Sequence, residues 1–429
     1  MKIASIAAGA AGMYCGSCLH DNTLAAALLD LGEDVVLIPT YTPMRTDEPD
    51  VSHPRVFFGG INVFLQQKSF LFRHTPWWFD RLLDRPVLLK SLSGRAGSVD
   101  PTRLGDLTVS MLHGEDGNQR KELEKLANWL FREVQPEVIH LSNAVLLGMA
   151  PFFSGNLAVP VVCTLAGEDS FLERLTQPYY NQARELLCER AQKVDAFIAF
   201  NSYYADRMSV YLSVDRAKID VIPHGLCLEG HGSRRSNPGN RPQVIGFLAR
   251  ICEDKGLYQL VEACELLDQM SDLPPFEISV AGYLGKTEQA YLEQVQNRVA
   301  RGTLAGRFTY LGELSRREKI AMLQSLDIFC VPAQFPEAKG LSILEAMANA
   351  VPVVLPDFGS FSELVQDTGG GLLCEPQNTV DLAAKLAELL TDTGRGDRIG
   401  EAGQRVIYDR YHAERMAQQT RDLYRRLTH

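Results

Sequence analysis

Two glutamates with seven residues between them mark the part of the chain whose chemistry is easiest to interpret. Glu337 and Glu345 lie in segment 327–357, where the hydrophobic pattern predicts a strand, a loop, a helix and a second strand. Gly340 stands where that helix should begin, and the free N–H groups of a first helical turn suit a phosphate. On a helical wheel Glu345 falls at the edge of the apolar face, where a carboxylate can accept hydrogen bonds from the vicinal hydroxyls of a ribose. A solvated glutamate beside the core is the alternative interpretation.

A second candidate site follows the strand expected at 244–249. Arg250 ends that strand, Lys255 comes five positions later, and Gly256 opens the next helix. Two cations at the carboxyl end of a strand can clamp a diphosphate, the arginine through its planar fork and the lysine as a point charge. Two solvated surface cations are the alternative.

A glycine-rich turn lies between the first strand and the first helix. Gly9, Gly12 and Gly16 would let a ligand approach the backbone closely, although neither G-x-G-x-x-G nor a phosphate-binding GKS/T loop is present. Cys15 and Cys18 form a C-x-x-C pair at the same helix start, a setting that lowers the pKa of a thiol. A redox role and a zinc role are alternatives to small residues packed under the turn.

The elements that must position these residues alternate between strand and helix patterns. Strands at 2–8 and 34–39 flank a helix at 22–31, a βαβ unit that implies a parallel sheet with a right-handed crossover. The pattern stops over about 41–110, which we interpret as an insertion, and then resumes.

A polar segment rich in Gly, Ser, Asn and Arg at 226–241 predicts a linker, after which the strand–helix pattern starts again. The fold class is therefore α/β, with two doubly wound Rossmann-like domains at 1–225 and 242–410. Such sheets bind ligands at the carboxyl ends of their strands, so a cleft between the domains is the expected site.

Composition excludes several classes of protein. The 429 residues carry 43 basic and 53 acidic side chains, a net charge of −10 that gives no reason to expect nucleic-acid binding. Nine cysteines, an odd number at low density, indicate a reducing compartment rather than a disulfide framework. No apolar run approaches the length of a membrane span, and we expect a cytoplasmic protein.

The order of these motifs along the chain resembles the family 4 glycosyltransferases, retaining enzymes of GT-B fold that use nucleotide-diphosphate sugars. The resemblance is specific over about 200 residues of the second half and looser in the first half. The motifs that carry it are IPHGL (222–226), GFLARICEDKG (246–256), VAGYLG (280–285), the segment 310–333, and the Glu337…Glu345 stretch through ELV (363–365).

The resemblance implies a role for each candidate residue. Arg250 and Lys255 would hold the donor diphosphate, Glu337 would contact the donor sugar, and Glu345 would hold the ribose. The other implied contacts are the Gly340, Leu341 and Ser342 backbone to phosphate or sugar, Gly16 to the leaving diphosphate, and a last helix, about 411–429, packed back on the first domain. No D-x-D motif is present, so we expect neither an essential metal nor another cofactor.

This chain also departs from the family pattern on the acceptor side. The family usually has an aromatic residue before the helix-start glycine and an asparagine in the motif before the linker, where this chain has Lys339 and His224. It often has a histidine where this chain reads TLAGED (164–169). Glu168 and Asp169 are therefore the candidates for acceptor binding, with a loop turn or helix cap as the alternative. His140, at the end of a predicted strand, is near the cleft in the family pattern or is a structural histidine.

The expected partners are a nucleotide-diphosphate sugar and a glycan, lipid-linked or small-molecule acceptor. Segment 57–90 mixes aromatic residues, including Trp77 and Trp78, with basic ones. It could stack on an acceptor sugar, rest on a membrane surface, or pack over the first domain. The alternative functions are a nucleotide-sugar epimerase or phosphorylase of the same fold, and a non-catalytic sugar-nucleotide-binding protein.

Overall fold

The computed structural model describes residues 1–9, 16–59, 63, 66, 67, 104–232, 234 and 241–428. The chain divides into two compact units, one of Met1–Gly225 with Ala413–His429 and one of Leu226–His412. Within the described residues each unit is built on one sheet of six parallel strands covered by helices. The predicted α/β class with two doubly wound domains is confirmed.

The first unit has the strand order β2-β1-β3-β4-β5-β6. Its strands are short runs, and the four central ones are buried along nearly their whole length, as expected for a sheet with helices on both faces. They are β1 (Lys2–Ala7), β2 (Asp34–Pro39), β3 (Val138–Leu141), β4 (Val161–Thr164), β5 (Ala196–Ala199) and β6 (Ile219–Val221). The α-helices among the described residues up to Gly225 are α1 (Gly16–Asp30), α2 (Gly105–Leu112), α3 (Arg120–Trp129), α4 (Ala150–Leu157), α5 (Asp169–Leu172), α6 (Tyr179–Ala191) and α7 (Ser202–Leu212).

The second unit has the order β12-β11-β10-β7-β8-β9. Its strands are β7 (Gln243–Leu248), β8 (Phe276–Ala281), β9 (Phe308–Tyr310), β10 (Ile328–Cys330), β11 (Val353–Pro356) and β12 (Gly371–Cys374). Its helices are α8 (Leu257–Asp268), α9 (Gln289–Arg301), α10 (Arg316–Ser325), α11 (Leu341–Ala348), α12 (Ser360–Thr368), α13 (Thr379–Thr391) and α14 (Thr393–Arg410). The last helix of the chain, α15 (Ala413–Thr428), belongs to the first unit.

The order of strands places the candidate residues of the second unit. Strand β7 pairs with β8 on one side and with β10 on the other, so the winding of the chain reverses between β7 and β10. Arg250 follows the carboxyl end of β7 and Glu337 lies in the loop after β10. Ligands of open α/β sheets bind at this switch point, outside the carboxyl ends of the strands.

Helix α1 begins six residues before the predicted start, at Gly16. The missed first six residues include His20 and Asp21, which are buried although their residue types suggest exposure, and the neighbouring Asn22 and Thr23 are buried as well. The Asn22 amide donates to the Pro49 carbonyl oxygen at 3.0 Å and accepts from the Val51 N–H at 3.0 Å. Hydrogen bonds to the following loop therefore stabilise this polar helix face inside the fold.

The described part of the predicted insertion lies along the edge of the first sheet. Residues 52 and 57 form bridges to Leu37 and Thr40, so this segment continues beside β2. Trp77 and Trp78, with most of segment 57–90, lie outside the described residues. Among the helices that the structure does describe, none combines the length and apolarity needed to cross a membrane.

Candidate functional site

Lys255 and Glu337 are brought together across 82 residues of sequence. Lys255 closes a short 3₁₀ turn, Glu253–Lys255, directly after β7, and its Nζ donates to Oε1 of Glu337. Gly256 follows with φ +76°, and a Cβ at this position would lie 1.8 Å from the Pro332 carbonyl oxygen. The glycine thus lets the turn after β7 touch the loop after β10, which places the ammonium against the carboxylate.

The loop that carries Glu337 is held from the start of α12. The Ser360 N–H donates to the Glu337 carbonyl oxygen at 2.9 Å, and the Ser360 hydroxyl donates to the Lys339 carbonyl oxygen at 2.7 Å. Gly359 has φ +63°, and a Cβ there would lie 2.7 Å from the Glu337 nitrogen. Both ends of the Glu337–Lys339 backbone are therefore fixed by a second loop, which lowers the freedom of the carboxylate.

Helix α11 begins at Leu341, with Gly340 as its N-cap, so the helix starts where it was predicted to start. Gly340 has no side chain to cap the helix, and its carbonyl oxygen accepts hydrogen bonds from the N–H groups of Ile343 and Leu344. Within the described residues the N–H groups of Leu341 and Ser342 have no acceptor, so the helix start keeps donors and its partial positive charge for an anion.

Arg250 is exposed and makes no hydrogen bond or ion pair with the residues that the structure describes. Its guanidinium is fully available to an anion at the carboxyl end of β7. Lys255, by contrast, has a partner, so the two cations of this cluster differ in the work needed to engage a ligand.

Glu345 is buried, with 4% of its surface exposed, rather than solvated at the helix edge. Its Oε1 lies 2.5 Å from Nζ of Lys319, a buried residue of α10. Its Oε2 accepts no hydrogen bond from the described residues and is not among the fully enclosed polar atoms. One carboxylate oxygen is thus bound inside the unit and the other remains for a ligand.

In the first unit Gly16 is the first residue of α1, directly after residues 10–15, which the structure does not describe. Gly9, at the end of the described part of the turn, has φ +77°, and a Cβ there would lie 2.6 Å from the Thr42 carbonyl oxygen. This end of the turn requires glycine, because the chain passes so close to the segment after β2. Cys15 lies outside the described residues, and Cys18 is buried.

Glu168 joins the loops that follow β3 and β4. Its Oε1 accepts from the Ala144 N–H at 2.8 Å and its Oε2 from the Ala166 N–H at 2.6 Å. Burial raises the pKa of Glu168, while these N–H donors act in the opposite direction. Both carboxylate oxygens are therefore engaged with the backbone.

Asp169 is the first residue of α5 and is also buried. Its two oxygens accept from the Tyr204 hydroxyl at 2.8 Å and from Nε of Arg207 at 2.6 Å. The acidic pair of the TLAGED motif thus binds to neighbouring loops and to α7.

Two histidines singled out in the sequence are buried in the first unit. His140 lies 2.7 Å from the Thr164 hydroxyl through Nε2 and 2.6 Å from the Tyr424 hydroxyl through Nδ1, and burial lowers its pKa to about 4. His224 lies with its Nδ1 3.0 Å from Nδ1 of His20.

The structure brings Arg250, Lys255, Glu337 and the start of α11 to one edge of the second sheet. Lys319 and Ser360 are contributors that sequence reasoning missed. The sequence could have indicated that Lys319 is buried, because its spacing places it on the same core-facing side of α10 as Met322 and Leu323. Within the described ranges no group of His, Cys, Asp and Glu side chains could hold a metal ion.

Comparison with known proteins agrees with this architecture. The family model described as "Glycosyl transferases group 1" matches residues 233–406, and that described as "Glycosyltransferase Family 4" matches residues 100–229. Glycogen synthase of Mycobacterium tuberculosis is 22% identical over 324 residues, which cover 74% of either chain.

Two solved structures share the fold along nearly the whole chain. Sucrose-phosphate synthase from Thermosynechococcus elongatus superposes with a TM-score of 0.72 at 17% identity, covering 100% of this chain and 99% of that one. Anabaena HepE in complex with UDP superposes with a TM-score of 0.69 at 18% identity, covering 100% of both chains. The chain therefore belongs to the family 4 glycosyltransferases and is a glycosyltransferase with the GT-B fold.

Proposed function

We propose that the protein transfers a hexosyl group, with retention of configuration, from a nucleoside-diphosphate sugar to an acceptor hydroxyl. The observation that carries the proposal is the Lys255–Glu337 contact, which unites the cation after β7 with the carboxylate before α11. Arg250 and the uncapped start of α11 lie on the same two loops. The HepE complex with UDP adds that a protein of this fold binds such a nucleotide.

The proposed chemistry is electrostatic stabilisation of the leaving group. The bond between the anomeric carbon and the diphosphate oxygen breaks, and a bond from the acceptor oxygen forms on the same face. Arg250, Lys255 and the N–H groups of Leu341 and Ser342 would stabilise the charge that develops on the diphosphate. The leaving phosphate would take the acceptor proton, so we name no protein general base.

Glu337 and Glu345 would bind the two sugars of the donor. A diphosphate that engages Lys255 replaces part of its contact with Glu337, which leaves this carboxylate for hydroxyls of the hexose. Glu345, with Oε2 unused inside the unit, would accept from the ribose. Gly16 would contact the leaving diphosphate, as the resemblance implies.

For the acceptor we propose only a chemical class and one residue that shapes its site. Since both oxygens of Glu168 hold backbone N–H groups, we assign it to shaping the loops that meet the acceptor. The acceptor itself is a glycan, a lipid-linked sugar or a small molecule with a free hydroxyl. We propose a cytoplasmic location from the low cysteine density, and catalysis without an essential metal or other cofactor.

Thermal-shift binding of UDP, GDP, ADP and their hexose conjugates, without metal and again with EDTA, is the first test. Selective stabilisation by one nucleoside diphosphate identifies the donor class and supports the proposal. The absence of any shift, on folded protein, would contradict it.

Product analysis then separates the alternative reactions. A glycosyltransferase releases the nucleoside diphosphate only with an acceptor, and the anomeric configuration of the product by NMR tests retention. An epimerase would convert the donor alone, and a phosphorylase would require free phosphate. Binding with no turnover of any donor would favour a sugar-nucleotide-binding protein.

A further inference from the structure

The buried pair formed by Lys319 and Glu345 is not explained by the stability of the fold alone. Lys319 and Glu345 are 8% and 4% exposed, and Nζ lies 2.5 Å from Oε1. Taking two charges out of water opposes folding, and replacing such a pair by apolar residues of similar volume often leaves a protein as stable or makes it more stable. Lys319 also lies among the apolar residues of α10, where an aliphatic side chain would suit the core.

The pair is asymmetric in a way that suits a ligand. Lys319 contacts Oε1 of Glu345, while Oε2 accepts no hydrogen bond from the described residues and is not fully enclosed. A carboxylate whose one oxygen is held by an ammonium has a fixed orientation. The other oxygen then accepts hydrogen bonds in a defined direction.

Hydrogen bonds within the unit occupy the C-terminal end of α11, whereas the N–H groups at its N-terminal end have no acceptor among the described residues. Asn349 donates to the Glu345 carbonyl oxygen at 2.8 Å and accepts from the Gly232 N–H at 3.0 Å. Gly340 lies five residues before Glu345, a rise of about 7.5 Å along the helix. A nucleoside diphosphate whose phosphates lie at Gly340 can therefore reach Glu345 with its ribose.

We propose that Lys319 is a positioning residue for the nucleotide: it fixes the orientation of the Glu345 carboxylate and directs Oε2 toward the ribose hydroxyls. This inference rests on the proposed function, in which Glu345 binds the ribose. Lys319 would act through Glu345 and touch neither the diphosphate nor the transferred sugar.

The test compares nucleotides with and without the ribose 2′-hydroxyl. Dissociation constants are measured by calorimetry for UDP, GDP and ADP and for dUDP, dGDP and dADP, and the pair that binds the wild-type protein is used. The wild type should bind the 2′-deoxy nucleotide on the order of tenfold more weakly, because a hydrogen bond to a charged group is lost. In Lys319→Met this ratio should fall toward one, with the ribonucleotide weakened about tenfold and the deoxynucleotide little changed.

Three further variants separate positioning from folding. Lys319→Arg keeps a cation and should recover most of the ratio, whereas Lys385→Met on α13 should leave it unchanged. The double variant Lys319→Met/Glu345→Gln buries no charge, which protects its folding. In the double variant the ratio of deoxynucleotide to ribonucleotide dissociation constants should be no lower than in either single variant, because the two substitutions remove the same contact with the ribose.

Each outcome bears on a definite statement. A wild-type ratio in Lys319→Met, or in the double variant if the single one does not fold, would overturn the positioning role, as would equal weakening of both nucleotides. After either of these outcomes the proposed function still stands if the wild type binds the nucleotide and Lys255→Ala weakens that binding. Only the positioning role of Lys319 is then lost. If the wild type binds none of the three diphosphates, the proposed function and this inference both fall.

Discussion

Lys255 is held at the candidate site in two ways. Its ammonium contacts Glu337, and the next residue, Gly256, packs against the loop after β10. The cation is therefore held where the proposed diphosphate would lie, and the carboxylate is held beside it. Arg250, two residues after β7, adds an exposed cation without a partner among the described residues. At the scale of single residues the site is a small set of charges whose positions depend on two loops.

We predict that Lys255→Ala and Glu345→Ala each lower kcat/KM by tenfold or more. The first variant removes a charge that would stabilise the leaving diphosphate, and the second removes the proposed ribose contact. Steady-state kinetics with the identified donor measure both effects. Lys193→Ala, an exposed residue of the first unit, is the control and should behave as the wild type. Unchanged kinetics in both site variants would remove the site assignment.

The turn after β7 and the loop after β10 meet where their backbones pass close to each other, and a glycine permits this close approach. Gly256 and Gly312 have nearly the same φ, +76° and +74°, but different surroundings. A Cβ at Gly256 would lie 1.8 Å from the Pro332 carbonyl oxygen, whereas a Cβ at Gly312 would have nothing within 4 Å.

Gly256→Ala should therefore lower the free energy of unfolding by several kcal/mol, and Gly312→Ala by only about 1 kcal/mol. The matched pair separates the clash with the loop after β10 from the backbone preference that both positions share. Urea denaturation measures the two stabilities, and kinetics should show the larger loss in Gly256→Ala. Equal stabilities of the two variants would contradict the close approach of these loops.

His140 links three elements of the first unit, since it lies on β3 and contacts Thr164 of β4 and Tyr424 of α15. Burial lowers the pKa of His140 to about 4, below the ordinary value of 6.5. Between these two pH values the unfolded chain binds a proton that the folded chain does not. The free energy of unfolding must therefore fall as the pH is lowered through this window.

We expect that fall to be smaller in His140→Gln, which carries no titrating ring. Between about pH 7.5 and about pH 5 the wild type should lose about 2 kcal/mol more than the variant. Urea denaturation of both proteins at the two pH values isolates this contribution, because the other titrating groups are common to both. Parallel losses in the two proteins would show that His140 titrates normally.

The whole chain folds as two units, and its last helix returns to the first. Met416, Leu423 and Tyr424 of α15 are buried in a core cluster with residues of β1, α1 and β3. The second unit has its own large core from Leu226 to Ile407. The first unit is therefore discontinuous in sequence, whereas the second is continuous.

Deletion of residues 413–429 should unfold the first unit and leave the second folded. The three buried side chains contribute about 6 kcal/mol of hydrophobic burial, a large part of the stability of an ordinary domain. Hydrogen exchange resolved by peptide would show lost protection in β1–β6 and retained protection in β7–β12. Protection retained throughout the first unit would contradict the role of α15 in its core.

The sequence by itself determined the α/β class and the bounds of β1, β2 and β7 to within one residue, because buried parallel strands are short apolar runs bounded by turn residues. It did not predict the short strands β6 and β12. It also determined that α11 begins directly after Gly340. It did not reveal the true start of α1 at Gly16, since the buried polar residues His20 and Asp21 do not follow the hydrophobic pattern.

Tertiary structure alone decided which charged groups meet. Lys255 pairs with Glu337 and Lys319 with Glu345 only because β7, β10, α10 and α11 converge at one sheet edge. Local patterns report the secondary structure of a segment and the face that it buries, but the partner of a buried charge lies on another segment. For this protein the sequence therefore determined the family and the elements, while the folded chain decided the contacts of each candidate residue.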